Sequence, residues 1–164
     1  MSAYFKIFGS SLVLLACLLL GRGYTSYMKK RVLEYLAFLA FLELMQREIS
    51  CSLATAESFG RKCTDKTLVD MGFVGALKDG ESLSAAFLKT DGKSYIAAAD
   101  RKLLFDYFNG FGLGSLDTEL ASLAECIKSF SARARSEEGL LSSRVKLAMT
   151  LLWLFWAAVT ILLM

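Results

Sequence analysis

The chain has 164 residues, 55 % of them hydrophobic and 21 % charged, a balance too apolar for an ordinary soluble domain and far too apolar for a disordered one. A formal net charge of +3 is too small to point to nucleic acid. The absence of histidine removes Ser-His-Asp and Cys-His catalysis and every imidazole metal ligand. With no proline to interrupt a helix, the 12 glycines become the main punctuation.

The first element is an apolar run. Between Lys6 and Arg22 stand 15 uncharged residues, roughly 22 Å of helix against a hydrocarbon core of about 30 Å. Tyr4 and Phe5 extend the run outward, Arg22 can snorkel at its inner edge, and Tyr24 and Tyr27 stand where interfacial aromatics belong. Residues 1–24 are read as a transmembrane helix. Gly9, Ala16 and Gly23 recur every seven residues, a small-residue stripe that would let another helix approach closely. An alternative reading makes Leu14-Leu15-Ala16-Cys17 a lipobox and the chain a lipoprotein anchored at Cys17. Against it, Lys6 is the only basic residue before the run, and Leu18, Leu19 and Leu20 prolong the apolar stretch.

Residues 25–146 read as one helical domain. The segment from Tyr35 to Leu42, YLAFLAFL, is apolar on every face, so it is buried on nearly all sides or lies in a self-associating interface. Its helix is expected to continue through Ser50–Phe59 and to end in a left-handed cap at Gly60. Shorter helices are expected at Lys66–Lys78, Glu81–Lys89 and Lys93–Phe108, divided by the turn dipeptides Asp79-Gly80 and Asp91-Gly92. Leu116, Leu120, Leu123, Ile127, Phe130, Ala134, Leu141 and Val145 then follow alternating three- and four-residue steps, a bundle seam. Ser115 or Asp117 can cap this helix, which is expected to run unbroken into the membrane with a kink at Gly139.

The chain closes with 18 uncharged residues, 147–164, roughly 27 Å of helix and a second transmembrane candidate. Trp153 and Trp156 sit near its middle rather than at an interface, and one or the other is expected to pack on the Gly9–Ala16–Gly23 stripe. Basic residues crowd the inner flanks: Arg22, Lys29, Lys30 and Arg31 on one side, Arg133, Arg135, Arg144 and Lys146 on the other. The positive-inside rule therefore places the middle domain in the cytoplasm and both termini outside.

No catalytic, cofactor or metal constellation emerges. Gly110–Gly114 lacks the lysine, the spacing and the preceding strand of a phosphate loop, and reads as a glycine-rich turn. The cysteines Cys17, Cys51, Cys63 and Cys126 have no C-x-x-C spacing and are expected to be reduced, buried thiols.

Taken together, these features resemble the stage III sporulation protein AB family. The likeness rests on Lys6-Ile7-Phe8-Gly9 in the first span, Glu48-Ile49 after the apolar helix, Leu113-Gly114-Ser115-Leu116-Asp117 as a Leu-Gly-x-x-Asp helix junction, and Lys146-Leu147 before the last span. The chain departs at Ala54-Thr55-Ala56, where that family usually has Thr-Pro-Leu, and at Ala121, in place of a glutamine. The resemblance implies an all-α antiparallel bundle similar to type II secretion platform domains, flanked by two transmembrane helices. It also implies a non-enzymatic component of a secretion-like channel that links mother cell and forespore, resident in the mother-cell membrane. The implied partners are a cytoplasmic ATPase of the same operon and other channel-complex proteins, with neither nucleic acid nor a small-molecule substrate. A generic helical membrane subunit or sensor is the competing reading. If the two long helices run antiparallel, Gly60–Asp65 and Gly110–Asp117 meet at a membrane-distal tip that offers Arg61, Lys62, Asp65, Phe111 and Asp117 to the ATPase.

Overall fold

The computed structural model describes residues 2–51 and 55–163. It is all-α: helices α1 (Ser2–Cys51), α2 (Ala56–Lys62), α3 (Lys66–Met71), α4 (Phe73–Lys78), α5 (Leu83–Thr90), α6 (Ala98–Gly110) and α7 (Leu116–Leu163), with a 3-10 turn at Asp91–Lys93 and no strand among the described residues. Two compact units form. One holds residues 1–30 and 137–164, the other residues 31–136. Helices α1 and α7 contain segments long and apolar enough to cross a membrane.

The unit 31–136 is built on the apolar stretch of α1. Tyr35, Phe38, Phe41, Leu42 and Met45 are buried, while Leu33 and Leu36 remain exposed. The stretch is therefore covered on most sides rather than all. Phe38 meets Phe73 and Phe87 edge-on, each at 5.5 Å, and Phe41 meets Phe73 at 5.1 Å and Phe108 at 6.2 Å. Full burial of such a side chain is worth roughly 1.5–3 kcal/mol, so α1 forms the spine around which the short helices collect.

Several expected boundaries move, each for a local reason. Helix α1 ends at Cys51 instead of continuing to Phe59. A new helix starts at Thr55, whose hydroxyl accepts from Ser58 N while the Ser58 hydroxyl accepts from Thr55 N, a reciprocal capping box. The stretch Ala54-Thr55-Ala56 thus lies partly in this cap, with Ala54 itself outside the described residues. Gly60 is not a left-handed cap. It is buried within α2, where an added Cβ would stand 2.8 Å from Leu77 Cβ, so its missing side chain lets α2 lie against α4. The expected helix Lys66–Lys78 is cut at Gly72, which takes φ +90° and ends α3. The expected helix Lys93–Phe108 begins only at Ala98, because the Ser94 hydroxyl and Tyr95 N both turn to the Glu34 carboxylate instead of to a helical ladder.

Helix α7 runs through Gly139 without interruption. Along its seam Leu123, Phe130 and Ala134 are buried, joined by Cys126, whereas Leu116 is exposed. At its start the Ser115 hydroxyl accepts from Thr118 N (3.4 Å).

Candidate functional site

Three places in the chain combine unusual side chains with defined geometry. The first lies in the unit 1–30 with 137–164. Leu14, Cys17 and Leu18 of α1 form a narrow cleft with Met149, Leu152, Trp153 and Trp156 of α7. A Cβ on the buried Gly21 would stand 2.7 Å from Met149 Sδ and 3.3 Å from Leu152 Cδ1, so the closest approach is at Gly21. The indole rings of Trp153 and Trp156 meet edge-on at 5.8 Å.

Gly9 is half-buried, but Ala16 and Gly23 face outward, and a Cβ at Gly23 would meet nothing within 4 Å. Within this chain the two tryptophans therefore do not pack on the seven-residue stripe. The reason is rotational. One residue turns a helix by about 100°, which carries positions 16 and 23 off the seam made by 14, 17, 18 and 21. The signal for that seam was Cys17-x-x-x-Gly21, two small residues four apart.

The second place is a polar clasp inside the unit 31–136. The Tyr35 hydroxyl donates to Asp100 Oδ2 (2.5 Å) and accepts from Ala97 N (3.3 Å), while Arg133 Nη1 pairs with the other Asp100 oxygen. Beside it, Glu34 accepts from the Ser94 hydroxyl and from Tyr95 N, the latter at 2.6 Å. Burial pushes the Glu34 carboxyl above the usual carboxylate range, against the opposing pull of those two hydrogen bonds and of Arg101. Every group here is committed to joining α1, α6 and α7 and the segment before α6. The clasp positions helices and leaves no carboxylate open for chemistry. Sequence reasoning missed it, although Glu34 at the edge of YLAFLAFL was the available hint.

The third place lies where α2 and the segment after α6 meet within this unit. Phe59 of α2, just before the expected segment Gly60–Asp65, and Phe111 of the segment Gly110–Asp117 meet edge-on at 5.9 Å. The individual side chains differ in standing. Arg61 pairs with Glu57 (2.5 Å) and Lys62 with Glu48. Asp65 is the cap of α3, accepting from Thr67 N (2.8 Å) and Leu68 N (3.3 Å). Phe111 is not an exposed hook, since it is partly buried between Phe59 and Tyr107. Asp117 stands exposed in the first turn of α7. The loop between α6 and α7 is held by Glu119 Oε1, which accepts from Gly112 N (3.0 Å) and Gly114 N (3.1 Å). Leu113, between those two glycines, is 86 % exposed.

Cys63 and Cys126 are buried free thiols, each held above the ordinary thiol range by burial. A further cleft of about 230 Å³ is lined by Phe87, Leu88, Ala98, Arg101, Lys102 and Phe105.

The family model described as stage III sporulation protein AB covers residues 6–164. No curated protein and no solved structure matches the chain.

Proposed function

The chain belongs to the stage III sporulation protein AB family, and from that premise we propose that it is a membrane platform within a secretion-like channel between mother cell and forespore, coupling that channel to a cytoplasmic ATPase. The observation that carries this reading is the combination of a folded helical unit, 31–136, with segments in α1 and α7 long and apolar enough to cross a membrane. The basic flanks, Arg22 to Arg31 and Arg133 to Lys146, favour a cytoplasmic middle and outward termini. The ATPase then approaches the tip formed by α2 and the loop before α7, and the remaining channel proteins approach the outward faces of the membrane helices.

Topology is the first thing to test. Single cysteines introduced at exposed positions such as Lys78 and Ser142, in a background lacking the native ones, should resist an impermeant maleimide in intact cells and react after permeabilisation. Labelling in intact cells would overturn the cytoplasmic assignment.

A further inference from the structure

Between α5 and α6 lies the cleft of about 230 Å³, with Phe87, Leu88 and Phe105 on its apolar side and Arg101 and Lys102 on its polar side. Among the described residues, no acidic side chain lines it. Leu88 is 58 % exposed and Lys102 is exposed as well, so the cleft is open to solvent. Apolar walls beside two cations suit an amphiphile with an acidic head. Its carbons leave water against the phenylalanines while its charge faces an opposite one. A bare anion would make no use of the apolar walls, and a neutral amphiphile none of the cations.

The place of the cleft in the unit 31–136 points to the source. Arg101 pulls electrostatically on the Glu34 carboxylate, which also accepts from the Ser94 hydroxyl and Tyr95 N just before α6. The first turn of α6 therefore stands beside Glu34, three residues after the basic run Lys29-Lys30-Arg31. On the same unbroken helix α1, Tyr27 precedes Glu34 by seven residues, about 10 Å. That rise is comparable with the screening length of about 8–10 Å in physiological salt. Lys93, exposed in the turn before α6, adds a further cation on this side. The nearest store of acidic amphiphiles is thus the membrane that α1 enters, whose anionic lipids attract cations close to its surface.

We propose that the cleft between α5 and α6 is a site for an acidic phospholipid of that membrane, with the lipid phosphate against Arg101 and Lys102 and the adjoining glycerol and acyl carbons against Phe87, Leu88 and Phe105. The cleft takes the head end only, and the remaining acyl carbons stay in the bilayer. A lipid held there fastens the first turn of α6, and with it the segment bound to Glu34, to the membrane surface. The inference rests on α1 crossing a membrane and on neither the channel nor the ATPase.

The test uses the full chain in vesicles of phosphatidylcholine alone or of equal parts phosphatidylcholine and phosphatidylglycerol. A photoreactive benzophenone side chain replaces Ala98, an exposed residue lining the cleft, and lipid adducts are counted by mass spectrometry of the whole protein. Phosphatidylglycerol adducts should form, with adducts at least about tenfold rarer in phosphatidylcholine alone. Lys102→Glu should cut them several-fold, by a factor that shrinks as salt rises, while Lys102→Arg should keep them. Lys78→Glu, at an exposed lysine outside the cleft, should leave them unchanged, and circular dichroism should show all variants equally helical. Equal adducts in the two kinds of vesicle, or adducts indifferent to Lys102→Glu, would overturn the site. A second benzophenone at Leu19, in the apolar run of α1, separates the two levels of failure. Adducts at Leu19 with none at Ala98 overturn the lipid site and leave the membrane reading standing, whereas adducts at neither position overturn both.

Discussion

Two tyrosines in the unit 31–136 hold their hydroxyls away from water in different ways. The Tyr35 hydroxyl gives its proton to Asp100 and receives one from Ala97 N. The Tyr107 hydroxyl is equally inaccessible and has no hydrogen-bond partner among the described residues. Burial raises the pKa of both phenols, and at Tyr35 the bond to Asp100 adds to the rise. Replacing Tyr35 by Phe leaves an Asp100 oxygen and a backbone N–H without their partner, which costs about 1–2 kcal/mol. Replacing Tyr107 by Phe removes a shielded hydroxyl that bonds nothing, so stability should change by no more than about 0.5 kcal/mol and in either direction. Urea unfolding of both variants checks this. Equal losses would mean that the Tyr35 hydrogen bonds contribute nothing of their own. The same contrast explains why Asp100 is tolerated inside the unit: it is partnered on both oxygens, by Tyr35 and Arg133, as a buried carboxylate requires.

Among the elements, α1 and α7 in the unit 1–30 with 137–164 meet through Gly21. A side chain there presses on Met149 and Leu152, whereas Ala16 faces outward. Both tryptophans of the chain lie on α7 in this unit, so tryptophan emission excited beyond the tyrosine absorption band reports on it alone. Gly21→Leu should shift the emission of Trp153 and Trp156 and lower the midpoint of their thermal transition in detergent. Ala16→Leu should leave both where they are, and matching effects from the two substitutions would place the seam elsewhere. This pairing also marks what could be read in advance. Two apolar runs, their basic flanks and the three-four steps of α7 are visible because each depends on charge and period along one helix. The face that α1 turns toward α7, the end of α1 at Cys51 and the late start of α6 were not visible. They depend on partners distant in sequence, such as Glu34 reaching Ser94 and Tyr95, or Leu77 lying over Gly60. The standing of Phe111 was not visible either, because it depends on burial against Phe59 and Tyr107.

For the whole molecule, the question is whether the unit 31–136 depends on the membrane helices for its fold. Its core is its own. Phe38, Phe41, Phe59, Phe73 and Phe130 are at most 1 % exposed, and each of their ring contacts is made to a residue of the same unit. The Asp100 clasp likewise closes within the unit, joining Tyr35 and Arg133 close to the two points where the chain leaves it. A body with a complete core and paired buried charges can fold without its neighbours. A fragment comprising residues 25–146 should therefore be obtained without detergent, give a helical circular-dichroism spectrum and melt cooperatively. Phe38→Ala, which empties the contacts to Phe73 and Phe87, should cost it about 3–5 kcal/mol. A fragment that is helical but melts without a cooperative transition would mean that packing among the short helices is set by the membrane segments. In that case the tip would be formed only in the assembled membrane protein. A cooperative melt makes the tip a preformed surface, with the loop before α7 already clasped by Glu119 before any partner arrives.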